Sequence, residues 1–145
     1  MTLVRDILER KDRKVVAVSP RDSVLDAARR MNEERIGAVV VCEPGQGVVG
    51  IFTERDILRR VVAERKSPEH TLVGEVMSRP VTCCRKSTPV RECQSVMTSK
   101  RLRHLPVVED DELVGMLSIG DLMALEVEMQ QSTIDYLTEY LHGRT

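Results

Sequence analysis

The chain repeats one junction about 65 residues apart. "GIFTERDI", Gly50 to Ile57, returns as "GMLSIGDL", Gly115 to Leu122. The repeat extends well beyond the junction. Val24 aligns with Val90, Ala27 with Cys93, Met31 with Met97 and Ile36 with Leu102, each 66 residues apart. One residue drops out in a turn, after which Gly50 falls on Gly115 and Asp56 on Asp121. The lead-ins agree too, "VRDIL" from Val4 with "VGEVM" from Val73. A period this long exceeds a solenoid unit and suits a duplicated small domain.

Both copies read in the same order. A short extended piece, Val15 to Val18 or Val81 to Cys84, comes first. A polar turn with proline follows, then a helix with Asp22 or Thr88 as N-cap and Pro89 in the first turn. Val24, Ala27, Ala28 and Met31 form an i, i+3, i+4, i+7 stripe, repeated by Val90, Cys93 and Met97. Two strands come next, Ala38 to Cys42 and Val48 to Phe52, or Leu105 to Val108 and Leu113 to Leu117. A last helix starts at the junction. The expected fold is thus α+β (or α/β), with two β-α-β-β-α repeats packed with pseudo-twofold symmetry. The expected divisions are 1–69, 70–124 and a helical extension at 125–145. A copy of about 55 to 65 residues lies near the lower limit for a self-sufficient core. The two are expected to cover each other through their sheets.

The junction has two readings. "TERD" and "SIGD" both fit a capping box, in which Thr53 or Ser118 caps the helix and Asp56 or Asp121 bonds back. The same geometry offers helix N–H groups to a phosphate. The hydroxyl adds a donor there, and the aspartate can accept both hydroxyls of a ribose diol. No G-x-G-x-x-G or Walker A pattern competes for that role.

With "GIFTERDIL" and "GMLSIGDLM" closing the copies and "RHLPVV" entering a middle strand, the chain resembles the tandem cystathionine β-synthase (CBS) domain pair, or Bateman module. The resemblance covers roughly Val4 to Leu125, over four-fifths of the chain. It implies an adenosine-containing ligand (AMP, ADP, ATP, NAD or S-adenosylmethionine) in clefts between the copies, reported by a change of shape or assembly. It implies that Asp56 and Asp121 hold ribose and that Thr53 and Ser118 lie near phosphate. It places the backbone of Val16 and of Thr82, beside Pro80, against adenine. It places Gly37 and Ala38, with Arg103 and His104, at the entry to the middle strand, which lines the cleft, and Arg103 or His104 would meet the phosphate.

The copies differ at these positions. Arg55 precedes the first aspartate and Gly120 the second, while Gly37-Ala38 stands where the second copy has Arg103-His104. Two unequal sites are expected. Arg55 adds a phosphate fork, and Gly120 adds room for close backbone approach. The site on Asp121 is the first choice for a well-ordered monophosphate.

After Asp121 the helical pattern continues through "LMALEVEMQQSTIDYLTEYLHG" without internal Gly or Pro. Val127, Ile134 and Leu141 recur every seven residues, with Leu137 beside them. Leu122, Leu125, Met129, Tyr136 and Tyr140 form a second strip, and His142-Gly143 suits a helix end. Two apolar strips on one helix of roughly 20 residues favour a dimer contact.

Composition narrows the partners. The 22 basic and 23 acidic residues leave a net charge of -1, and the aromatics are Phe52, Tyr136 and Tyr140 alone. Neither a basic field nor a stacking platform for nucleic acid is present. No run approaches the roughly 18 apolar residues of a membrane helix. The start "MTLVRDILERKDRK" lacks a signal-peptide core, so a cytoplasmic protein is expected. His70, His104 and His142 fall in no recognisable catalytic or zinc motif. The expectation is a stand-alone regulatory module, not an enzyme and with no required cofactor, that signals to a regulated partner protein. Two alternatives stay open: a ligand-free scaffold, and a thiol or metal sensor built on Cys83-Cys84. Cys42, Cys83, Cys84 and Cys93 make no CxxC pair and read as small buried hydrophobes.

Overall fold

The duplication is visible element by element in the computed structural model, which describes residues 1–11 and 15–142. A lead-in helix α1 (Val4–Arg10) precedes β1 (Ala17–Val18), α2 (Val24–Glu34), β2 (Ala38–Glu43) and β3 (Gly47–Thr53). At the first junction α3 (Glu54–Asp56) runs straight into wider π-helical turns, Ile57–Val62. The second lead-in is α4 (Val73–Val76), followed by α5 (Val90–Lys100), β4 (His104–Glu109), β5 (Glu112–Ser118) and the long α6 (Ile119–His142). β2 to β5 overrun their expected ends by one residue, because their backbones pair up to the turns, whereas β1 starts two residues later than the extended piece expected from Val15. Gly143 of the expected helix ending lies outside the described residues.

Each helix buries its stripe: Val24, Ala27 and Met31 in α2, and Val90, Cys93 and Met97 in α5. The caps differ from expectation. Ser23 is the N-cap of α2, accepting from the Asp26 N–H, and Pro89 holds that position in α5 without a side-chain cap. Asp22 and Thr88 instead close the preceding turns, accepting from the backbone N–H groups of Ser19 and Arg85 at 2.9 Å each. A short acceptor satisfies a turn three residues back as readily as a helix start, and the backbone ahead of Val24 is already used elsewhere.

β1 runs parallel to β2, and β2 antiparallel to β3. In the second copy the first strand reduces to one parallel bridge, Cys84 to Val107, so the extended piece expected over Val81 to Cys84 forms no strand. Both hairpins carry a register shift at the same place, Val41/Cys42 and Val107/Val108. Ala38 through Val41 are all buried, so β2 is covered on both faces. Val39 and Val41 enter the first core, while Ala38 and Val40 point the other way. β3 and β5 are in contact between the copies.

The lead-in helices are exchanged. α1 precedes the first repeat, yet Val4 and Ile7 lie in the core of the second, with Val90, Cys93 and Leu117. Val73, Val76 and Met77 precede the second repeat and lie in the core of the first, with Val24 and Phe52. Matching backbone bonds fix each exchange. The Val4 N–H donates to Thr88 O and the Val73 N–H to Asp22 O, both at 2.9 Å. The Val90 N–H donates to Thr2 O and the Val24 N–H to Thr71 O, again at 2.9 Å.

The exchange explains the glycine that opens each junction. A Cβ on Gly115 would lie 2.8 Å from Leu8 Cδ2, and one on Gly50 would collide with the Met77 side chain. Both glycines let a lead-in helix press onto a strand.

α6 leaves the body after its first turns. Leu122 is buried and Leu125 partly so. Beyond them Val127, Met129, Ile134, Tyr136, Leu137, Tyr140 and Leu141 are exposed, with the Tyr136 and Tyr140 rings stacked 6.5 Å apart.

Candidate functional site

Both junctions form the expected capping box, and both also face a cleft. The Asp121 carboxylate accepts from the Ser118 N–H at 2.8 Å, and Ser118 Oγ accepts from the Asp121 N–H at 3.1 Å. Asp56 repeats this with Thr53, at 3.0 and 3.3 Å. Capping consumes one carboxylate oxygen in each case, and a carboxylate has about four acceptor positions.

The first cleft, about 590 Å³, opens between the repeats. Asp121 and Ser118 line one wall, and Val16, Gly37 and Ala38 of the first repeat line the other. Ile36, Val114 and Met116 supply further apolar wall, and His104 reaches the same space. A planar heterocycle can be gripped here by aliphatic side chains, as a chain almost without aromatics requires.

Lys11, directly after α1, was not legible as a site residue. Its Nζ donates to Asp121 Oδ2 and to Met116 O, both at 2.8 Å. Burial pushes the Asp121 carboxyl up. The Lys11 ammonium and the Ser118 donors outweigh it and hold the group below the usual carboxylate range. The bonds from Lys11 and Ser118 both go to Oδ2, and among the described residues Oδ1 has no hydrogen-bond partner, so Asp121 keeps a free acceptor. Burial pushes the His104 imidazole below its ordinary value, against the opposing pull of Asp121. It is therefore neutral at neutral pH and can donate or accept.

The second cleft, about 430 Å³, is built on Thr53, Arg55 and Asp56, with Arg103 and His104 opposite. Asp56 is only 6% exposed, and Ser78 Oγ donates to its Oδ1 at 2.7 Å. Thr53 takes the other oxygen with its N–H and its hydroxyl. Asp56 is therefore held more completely by the protein than Asp121. Gly37 and His104 line both clefts and form the wall between them.

Three expected residues lie apart. Gly120 is exposed and lines neither cleft; a Cβ there would meet only Ser118 Oγ, at 3.6 Å. Pro80 and Thr82 also line neither, and Thr82 Oγ1 accepts from Lys100 Nζ at 3.4 Å. Val16, the counterpart of Thr82 by duplication, does line a cleft. Arg35, Arg59, Arg101 and Ser78 line clefts without having been singled out.

Cys84 and Cys93 meet inside the second core, where their hydrogen bond and burial push the Cys84 thiol far up. Cys83 is exposed and Cys42 half-buried, so the expected small buried hydrophobe describes only Cys84 and Cys93. Among the described residues no group of three or more His, Cys, Asp or Glu side chains could hold a metal ion, and no helix is long and apolar enough to cross a membrane.

Comparison with known proteins shows the family. The family model of the CBS domain matches twice, at residues 4–63 and 73–128. The mitochondrial CBS domain-containing protein CBSX3 of Arabidopsis thaliana is 32% identical over 98% of this chain and 73% of its own length. The CBS domain-containing protein YhcV of Bacillus subtilis is 32% identical over 98% of this chain and 97% of its own. Among solved structures, the CBS-domain containing protein ATU1752 of Agrobacterium tumefaciens superposes with a TM-score of 0.80. It has 38% identity, covering 86% of this chain and 99% of that one. The CBS domain pair of protein MJ0100, solved in complex with 5′-methylthioadenosine and S-adenosyl-L-methionine, gives 0.78 at 25% identity. That match covers 88% of this chain and 98% of that one.

Proposed function

The chain belongs to the CBS domain family, and on that premise we propose that it is a regulatory module for an adenosine-containing ligand. The ligand sits in a cleft between the repeats, and its presence is passed to a partner protein by a change of conformation or assembly. One observation carries the reading. Asp121 and Ser118, at a helix start, face Val16, Gly37 and Ala38 across a single cleft. Adenine would lie among the aliphatic walls, the ribose diol on Asp121, and an anionic tail toward Ser118, Lys11 and His104. The MJ0100 pair, which holds two adenosine compounds, supports the ligand class.

AMP, ADP, ATP, NAD and S-adenosylmethionine share that adenosine core. The reading assigns the chain no chemistry of its own and neither nucleic acid nor membrane as partner. It acts in the cytoplasm, as free thiols there require no protection by pairing. A dimer joined through α6 is its working assembly. A ligand at 100-fold over its dissociation constant favours the bound form by about 2.7 kcal/mol, enough to shift a balanced interface if the two states differ in affinity.

Titration calorimetry with AMP, ATP, NAD and S-adenosylmethionine tests this. At least one binds the wild type, and Asp121→Ala weakens it roughly tenfold or more, since charge-assisted bonds to the diol are lost. Asp121→Asn, which keeps an acceptor for the cap, separates the ligand effect from any loss of folding. Binding by none of the four refutes the reading and favours the scaffold alternative.

A further inference from the structure

Duplication gives both clefts one plan, so the positions where the copies diverge say what each cleft holds. Arg35 ends α2 and lines the first cleft; Arg101 ends α5 and lines the second. Both are left-handed, at φ 55° and 54°, where glycine or asparagine would end a helix with less strain. Beyond this shared arginine the charges part. The second cleft adds Arg55, Arg59 and Arg103. Their counterparts by duplication are Gly120, Ala124 and Gly37, none charged. The first cleft has Lys11 instead, already engaged by Asp121 and Met116.

Four guanidinium groups therefore surround the second cleft, against the carboxylates of Asp56 and Glu54. Asp56 is buried and taken up by Thr53 and Ser78. Glu54 lies over Gly37, its carboxyl carbon 3.2 Å from where a Cβ would stand. Among the described residues, the side chains of Arg55, Arg59, Arg101 and Arg103 make no hydrogen bond and no ion pair. Like charges gathered round a hollow raise its potential and draw in a counter-ion. Each guanidinium fork matches two phosphate oxygens. Four forks exceed what one phosphate group can accept and suit a chain of phosphates.

We infer that the Asp56 cleft is a polyphosphate site, taking a ligand with two or more linked phosphates. The Asp121 cleft takes a ligand with one anionic group or none. The adenosine part of that ligand rests on the function proposed above; the anion chemistry rests on the arginines alone.

Calorimetry with inorganic triphosphate, AMP and ATP, at low and moderate salt, tests the assignment on the full chain. Triphosphate binds the wild type, competes with ATP, and weakens as salt rises. In R55Q/R103Q the affinities for triphosphate and ATP each fall roughly tenfold or more. R59Q/R101Q, a second and independent pair, reproduces the loss. All four arginines are exposed and unpaired, so an unchanged thermal melt shows that the variants fold. AMP binding without triphosphate binding overturns this inference and leaves the nucleotide reading standing. Triphosphate binding that is lost in R55Q/R103Q, with no gain from adenosine, supports this inference and overturns the nucleotide reading. Triphosphate and ATP affinities unchanged in both double variants overturn it outright.

Discussion

Lys11→Met isolates the contact that ties the lead-in segment to the Asp121 cleft. The ammonium lies 2.8 Å from Asp121 Oδ2, with side-chain exposures of 24% and 19%. Fully exposed pairs contribute about 0.2–1 kcal/mol and charge-assisted bonds about 1.5–3. A pair that is mostly but not fully covered falls between, so the variant loses about 1–2 kcal/mol at pH 7. Methionine keeps most of the apolar stem in place, so packing changes little. At about 2–4 °C per kcal/mol for a chain near this size, the melting temperature falls by about 2–8 °C.

The pH dependence follows from the direction of the Asp121 shift. Its folded pKa lies below the unfolded value of about 3.9, because Lys11 and Ser118 outweigh burial. Such a group adds stability above the unfolded pKa and loses it as pH falls through the folded one. Wild type and variant should therefore differ at pH 6–7, and the gap should start to close only below the unfolded value of about 3.9 and vanish once pH falls past the lower folded one. Urea titrations across that range measure the gap, and carboxyl NMR should find Asp121 titrating higher in the variant. A gap that persists undiminished in acid, or no gap at pH 7, would refute the assignment of the Asp121 shift to Lys11.

Gly115→Val forces a Cβ to within 2.8 Å of Leu8 Cδ2 and should cost about 1–3 kcal/mol in urea unfolding. Adding Leu8→Ala should recover part of that loss; no recovery would mean that α1 does not press on β5 as described. Ile134→Asp with Leu141→Asp, 54% and 73% exposed, should turn a dimer into a monomer by light scattering and leave the melt of the body unchanged. A wild type that is already monomeric, or a double variant that stays dimeric, contradicts the assembly through α6.

The elements of each repeat were legible because their signals are local. Stripes such as Val24, Ala27 and Met31 need only the helical period, and β-branched runs around two turns need only alternation. The caps were less legible. Asp22 and Ser23 are both competent N-caps, and the choice was made by Asp22 closing the turn on Ser19 and by its carbonyl accepting from Val73. The strand expected at Val81 was lost because strand formation depends on the neighbour offered, and here only Cys84 finds one.

The site was legible to the extent that one repeat contains it. The paired Thr53/Asp56 and Ser118/Asp121 are three residues apart, and a capping box fixes their geometry wherever the helix begins. Lys11 is a different case. Its partner lies 110 residues away, and it reaches Asp121 only because α1 crosses to the second repeat. Periodicity establishes that two copies exist; it is silent on which copy a connecting helix covers. Val4 and Val73 look alike in either arrangement, since both demand burial and neither names a core. The selection comes from backbone bonds, Val4 to Thr88 and Val73 to Asp22, whose donors and acceptors every residue carries. Exchange of the lead-ins makes each repeat's core incomplete without the other's preceding helix, so the interface between copies and the cores form together. A cleft at that interface is held by both halves at once, and a ligand bound there acts on the joint stability of the pair.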